Sequence, residues 1–383
     1  MKILFLDQTG KLAGAERVLL DIVKPYGANC LVGLFEDGAF RELLEKQNTP
    51  VTVLASKPIE VRRESSLLQG INSLGKFVPL LMKIVNLSRD YDIIYANTPK
   101  AMVIGALASA IAKRPFVYHL HDILTPEHFS STNRRLLVTL ANRFATEVIA
   151  VSQAAQEAFI AAGGKAELVK VIYNGFEAEK FQGFTAERDS VREELGFADK
   201  FVVGHFCRLS PWKGQDVLLK ALSHCPEEVV AVFVGDALFG EEEYAARLQE
   251  QVKQLNLSHR VKFLGFRRDV PRLMTGCDLI AHTSTAPEPA SRVLVETMLA
   301  GKPLIASRNG GTMELVEENK MGWLFPSGDD RALAEIIKRC YQQPEYTARM
   351  AASGQQMASD RFRLEKMLQQ LDKTLQEVVT TTH

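Results

Sequence analysis

The stretch His282-Thr-Ser-Thr-Ala-Pro-Glu288-Pro-Ala-Ser-Arg-Val-Leu-Val-Glu296-Thr-Met-Leu-Ala-Gly301-Lys-Pro-Leu-Ile-Ala-Ser-Arg-Asn-Gly-Gly311 decides how this chain is read. Asp278-Leu-Ile-Ala-His282 predicts a short buried strand, and Thr283–Pro289 a polar loop. A helix is predicted from near Ser291, with Val293, Leu294 and Met298 on its apolar side, stopping at Gly301. Pro303–Ala306 reads as the next strand. Glu288 therefore sits in a loop at the C-terminal end of a strand, and Glu296 about one turn into the following helix. In a doubly wound α/β sheet, ligands bind at that edge. The helix start offers free N–H groups and the positive end of a dipole, a site suited to phosphate. Carboxylates flanking such a site would repel phosphate and are better placed to grip hydroxyl groups. A phosphate between two polyols describes a nucleotide sugar.

Working outward, strand and helix signals alternate along the whole chain, the pattern of parallel sheets covered on both faces. Phe201–Phe206 reads as a strand followed by Arg208-Leu-Ser-Pro-Trp-Lys213-Gly214, which places two cations over one loop mouth. Arg can hold phosphate bidentately, while Lys acts as a compact point charge. Val229–Val234 ends at Gly235, where bare backbone could approach a nucleotide. Phe266, after the strand Val261–Leu264, could stack on a base or pack inside, and Arg267 follows it.

In the first half, Ile3–Leu6 is read as a strand, Gln8–Gly14 as a loop flexible at Gly10 and Gly14, and Ala15–Val23 as a helix. Phe116–Leu120 leads into His121-Asp122. His119 and His121 would face one side of a strand, but spacing supplies no third metal ligand, so no metal site is expected. The alternative for His121 is a hydrogen-bonded histidine in a βα turn. Residues 57–89 place Arg62, Arg63, Lys76, Lys83 and Arg89 around an apolar run. They read either as an ordinary core-facing helix or as a basic amphipathic helix touching a membrane.

With 383 residues, 46% hydrophobic and 24% charged content, the composition is that of an ordinary globular protein of two or three domains. The formal net charge is zero, which gives no sign of a nucleic-acid partner. The five scattered cysteines form no CxxC pair and point to a reducing compartment. No apolar run reaches the roughly 18 residues of a spanning helix. A cytoplasmic location is expected, with peripheral contact at the inner membrane face open through residues 57–89.

Glu288 and Glu296, followed by Ala300-Gly-Lys-Pro303 and Gly310-Gly311-Thr-Met-Glu314, resemble the signature of retaining glycosyltransferases of family 4, which have the GT-B fold. Ala13-Gly14-Ala15-Glu16-Arg17, His121-Asp122, Val151-Ser152, Asn174-Gly175 and the Arg208–Gly214 run match further segments of that family. The resemblance implies two Rossmann-like doubly wound domains facing a central cleft: residues 1–183 for the acceptor, 184–361 for the donor, and a final helix, 362–383, crossing back to the first domain. It implies that Glu288 contacts the donor sugar and Glu296 the ribose. Arg208 and Lys213 would hold the diphosphate, His121 would lie against the sugar, and Gly14, Gly235, Phe266, Arg267, Ser291, Arg292 and Val293 would complete the donor site. The family's Phe-Gly after Glu-Pro is Ala290-Ser291 here, which still supplies backbone N–H groups but changes the wall of the sugar pocket.

The implied activity is transfer of a sugar, with retention, from a UDP-sugar or GDP-sugar to a carbohydrate or lipid-linked acceptor, without a metal or other cofactor. Two alternatives stand beside it. One is a nucleotide- or sugar-binding protein with little turnover. The other is a GT-B enzyme of different chemistry, a sugar-nucleotide epimerase or a phosphorylase using pyridoxal phosphate.

Overall fold

The structure is a computed structural model that describes residues 1–55, 67–238 and 240–382, with residues 67–76 and 382 described in their backbone only. It divides into two compact units, residues 1–175 with 364–383, and residues 176–363. The chain thus passes into the second unit at Phe176, so residues 176–183 belong with the second unit rather than the first.

The first unit holds β1 (Ile3–Asp7), β2 (Cys30–Leu34), β3 (Val51–Val53), β4 (Ile93–Ala96), β5 (Phe116–Leu120), β6 (Glu147–Ala150) and β7 (Val169–Val171). These form one parallel sheet in the order β3-β2-β1-β4-β5-β6-β7. Side chains alternate along a strand, and here both faces are apolar. Leu4, Leu6, Ile94, Ala96, Phe116 and Tyr118 enter one core. Ile3, Phe5, Ile93, Tyr95 and Val117 enter the other. Continuous apolar runs such as Ile3-Leu-Phe-Leu6 are the signature of strands covered on both sides. The C-terminal helix Leu364–Thr382 closes the second of these cores with Leu364, Met367, Leu371, Leu375 and Val378.

The second unit repeats the plan with β8 (Phe201–Phe206), β9 (Val229–Val234), β10 (Val261–Phe263), β11 (Leu279–His282), β12 (Leu304–Arg308) and β13 (Trp323–Pro326), ordered β10-β9-β8-β11-β12-β13. Val203, Ala231, Phe233, Leu279 and Ala281 face one core, and Val202, Val230, Val232 and Ile280 the other. In each sheet the order reverses beside the unit's first strand, between β1 and β4 and between β8 and β11. Such switch points leave a crevice at the carboxyl ends of the strands.

Of the 57–89 segment, residues 56–66 lie outside the described residues, Arg62 and Arg63 among them. The helix Leu67–Ser88 turns Leu80 and Ile84 into the core and leaves Val78 and Met82 exposed. Among the described residues, no helix is long and apolar enough to cross a membrane.

Candidate active site

The second switch point brings the two decisive loops together. Arg208 to Lys213 follow β8, and Glu288 lies in the loop after β11. Lys213 Nζ is 2.7 Å from Glu288 Oε2. His282, the last residue of β11, places Nε2 2.9 Å from Glu288 Oε1, and the Ser284 hydroxyl donates to the same oxygen. Glu288 is almost fully buried. Burial alone would raise its pKa, but Lys213 and His282 outweigh that and hold the carboxyl well below the usual range. An ionised carboxylate with fixed orientation is the result, suited to accept hydrogen bonds from hydroxyls.

The loop carrying Glu288 is stitched to the residues after β12. Gly311 N donates to Glu288 O at 2.8 Å, and Asn309 Nδ2 donates to Ser284 O at 2.6 Å. A Cβ on Gly310 would lie 2.4 Å from Glu288 O, and one on Gly311 1.9 Å from Pro289 O. Gly310 also has a positive φ of 45°. The paired glycines are therefore required by the approach of the Glu288 backbone.

The cation loop is braced in the same way. Trp212 lies beneath both cations, with Lys213 Nζ 4.2 Å and Arg208 Cζ 5.8 Å from its ring centroid. Arg208 Nε is 3.4 Å from Glu241 Oε2, whose other oxygen accepts from Ser210. Thr283 Oγ1 donates to Gly214 O at 2.7 Å and faces His205 Nε2 at 2.9 Å, which fixes Nε2–H as the donor on that ring. His205 is kept neutral by burial, with His282 and Lys213 beside it, its pKa down to about 3. Its remaining nitrogen lies 3.5 Å from the Cys207 thiol, whose pKa burial pushes up to about 12. Gly214 (φ 67°) admits the Thr283 carbonyl, since a Cβ there would meet it at 2.0 Å. Gly235 (φ 143°) likewise admits Cys207 O, so its glycine serves the Arg208 loop.

The helix Arg292–Leu299 begins directly after its N-cap Ser291, where its start was expected. Glu296 Oε1 is 3.3 Å from Arg292 Nε, and the Arg292 guanidinium lies 4.4 Å over the Phe176 ring. Val293 packs against the core on that side of the sheet. Phe266 is 56% exposed, so of its two readings core packing is ruled out. Arg267 is engaged by Glu194 and Asp269 in a surface network shared with Arg272.

In the first unit, His121 follows β5. Asn97, after β4, gives its amide hydrogens to Asp7 Oδ2 (2.7 Å) and Ala15 O (3.3 Å). Its Oδ1 therefore faces His121 Nε2, at 2.9 Å, and that nitrogen must carry a proton. The His119 ring lies 3.9 Å from that of His121, tilted by 41°, and bonds Tyr95 OH through Nδ1. Burial, with His121 adjacent, keeps His119 neutral. Among the described residues no group of three or more His, Cys, Asp or Glu could hold a metal ion. Gly14 opens the helix Gly14–Val23, where Glu16 accepts from Ala13 N at 2.9 Å. Sequence reading missed His282, Ser284, Trp212, Glu241 and the Asp7–Asn97 pair. Trp212 stands inside the cation run, and His282 and Ser284 inside the Glu288 stretch, whereas Glu241 and the Asp7–Asn97 pair carried no local signal.

Two doubly wound units, with a Glu loop and a cation loop meeting at a switch point, define a GT-B glycosyltransferase. Residues 13–180 match the family model of Glycosyltransferase Family 4, and residues 187–357 that of Glycosyl transferases group 1. The crystal structure of Anabaena HepE in complex with UDP-glucose superposes with a TM-score of 0.92 at 54% identity, covering 98% of this chain and 100% of that one. The chain belongs to the group 1, family 4 glycosyltransferases. Among curated proteins, spore coat protein SA of Bacillus subtilis is 32% identical over 53% of this chain, and the match spans 57% of that protein, little more than half its length. A GDP-mannose-dependent phosphatidylinositol monomannoside mannosyltransferase of Mycolicibacterium smegmatis is 26% identical over 70% of this chain and 71% of its own.

Proposed function

We propose that this protein transfers a sugar, with retention of anomeric configuration, from a UDP-sugar to a hydroxyl of a carbohydrate or lipid-linked acceptor in glycan assembly. The observation that carries the reading is the Lys213–Glu288 contact. One buried pair sets a phosphate-binding cation beside a hydroxyl-binding carboxylate, the two needs of a nucleotide sugar. UDP-glucose is the favoured donor, because the HepE structures at 54–55% identity are complexes with UDP-glucose and with UDP and glucose. The mannosyltransferase relative keeps a GDP-sugar as the second reading.

In this account the bond from the anomeric carbon to the diphosphate breaks while the acceptor oxygen bonds to that carbon on the same face. The acceptor's hydroxyl proton passes to the leaving phosphate oxygen. Arg208, Lys213 and the N–H groups at Ser291–Val293 neutralise charge growing on the diphosphate, the largest electrostatic contribution available. Side chains thus supply the neutralisation that a metal would otherwise provide, and activity is expected to persist with a chelator present. His121 would touch the sugar, and Glu296 the ribose.

The test is slow donor hydrolysis across UDP-, GDP- and ADP-sugars, with chelator, beside Glu288→Ala. Release of UDP from one donor, lost in the variant, supports the reading. No release, together with no nucleotide-dependent stabilisation at a hundredfold excess over a micromolar-range dissociation constant (about 2.7 kcal/mol expected), would leave a non-transferase.

A further inference from the structure

We infer that His282 is a positioning residue for the reaction: its ring holds the Glu288 carboxylate in the orientation that grips the donor sugar. The inference rests on the reading of Glu288 given above.

His282 lies at the end of β11 and is almost wholly buried, with 2% of its side chain exposed. Its Nε2 stands 2.9 Å from Glu288 Oε1 and 3.3 Å from Ser284 Oγ. The Ser284 hydroxyl has one hydrogen, and it donates to Glu288 Oε1. Nε2 therefore faces two oxygens and must carry a proton. Its other nitrogen, Nδ1, is buried and has no hydrogen-bond partner among the described residues. The ring thus spends its polar capacity on Glu288 and on the serine that bonds the same oxygen.

Lys213 occupies the opposite oxygen, Oε2, at 2.7 Å. With one donor alone the carboxylate could swing about its terminal bond. Donors at both oxygens fix its plane. Lys213, in the donor reading, also answers to the diphosphate, so its hold on Glu288 would loosen as the substrate enters. His282 and Ser284 are anchored to β11 and the start of the following loop and do not share that duty. The strand end itself is fixed, since His282 pairs with Ala306 of β12 and Thr283 is clamped by Gly214 O. A misplacement of about 1 Å at such a group can cost a hundredfold in rate.

His282→Met keeps side-chain volume and removes the donor, whereas His282→Gln returns an amide N–H near the Nε2 position. UDP affinity by calorimetry and kcat with UDP-glucose are measured for wild type and both variants. The expected result is a fall of about tenfold to a hundredfold in kcat for His282→Met, UDP affinity within about threefold of wild type, and recovery of most of kcat in His282→Gln. A purely structural role would instead lower affinity, stability and turnover together, with no recovery by Gln. Wild-type kcat in His282→Met overturns the inference. So does His282→Gln that binds UDP normally but is as slow as the Met variant. If wild-type protein neither binds UDP nor consumes any UDP-sugar, the parent reading has failed instead, which separates the two.

Discussion

Replacing Lys213 by Met should expose how strongly the second unit depends on the ion pair at its switch point. Lys213 and Glu288 are 12% and 4% exposed in their side chains, with Nζ and Oε2 2.7 Å apart. At an effective dielectric of about 20 their attraction is on the order of 6 kcal/mol. Desolvation offsets much of this in the intact pair, but a carboxylate left behind bears the burial cost without its main partner. His282 and Ser284 remain on Oε1, so the loss should fall at the low end for a broken buried pair, about 3 kcal/mol. In the double variant Lys213→Met/Glu288→Gln no charge is stranded, and about 2 kcal/mol should return as coupling. The sign with pH follows. In wild type the Glu288 pKa is depressed, so its contribution is present above the unfolded value and disappears as pH falls through the folded one. In Lys213→Met that pKa rises, so the deficit should be largest near pH 8 and shrink toward pH 5 as the carboxyl takes a proton. Urea unfolding at several pH values, for both single variants and the double, gives every number needed. A Lys213→Met midpoint equal to wild type at pH 8, or additive single losses, would refute the reasoning.

Three further outcomes are expected. Trp212→Leu removes the ring beneath Lys213 and Arg208, two contacts of about 0.5–1 kcal/mol each, and should weaken UDP binding roughly tenfold by calorimetry with little change in unfolding midpoint. Gly311→Ala drives a Cβ to 1.9 Å from Pro289 O and must displace the Glu288 loop; turnover should fall by about a hundredfold or more, accompanied by a lower Tm. Burial raises the Asp122 pKa to about 6, with His128 pulling the other way. The folded state then holds a proton that the unfolded chain has lost between about pH 4 and 6, so stability should decline as pH rises through that window and level off above it. Asp122→Asn should remove this contribution from a pH series of unfolding midpoints.

What was legible in the sequence follows what local physics encodes. The strands expected over Phe201–Phe206 and Val229–Val234 have those bounds in the structure, every residue but Phe201 buried. The strands that read as unbroken apolar runs are those buried on both faces. Glu288, Lys213 and Arg208 were legible because they stand in short runs with fixed spacing. Their braces were not. Lys213 and Glu288 meet across 75 positions, and His282 reaches Glu288 only because the loop after β11 folds back on its own strand end. Glu241 lies 31 positions from the Ser210 hydroxyl it accepts from, and Asn97 lies 90 from Asp7. Such partners are set by strand order, to which periodicity is blind. The passage into the second unit was placed too late for a related reason. Phe176 looks like loop sequence, yet its N–H bonds Phe362 O at 2.8 Å and its ring carries Arg292, contacts that tie it to distant parts of the second unit.

The most direct test of the central claim is to incubate the protein with UDP-glucose labelled at the anomeric carbon and follow that carbon by NMR. The account predicts that the first product formed, glycoside or free glucose, carries the α configuration of the donor, and that Glu288→Ala leaves the donor signal unchanged. A β product formed first, or turnover undiminished in Glu288→Ala, would contradict it.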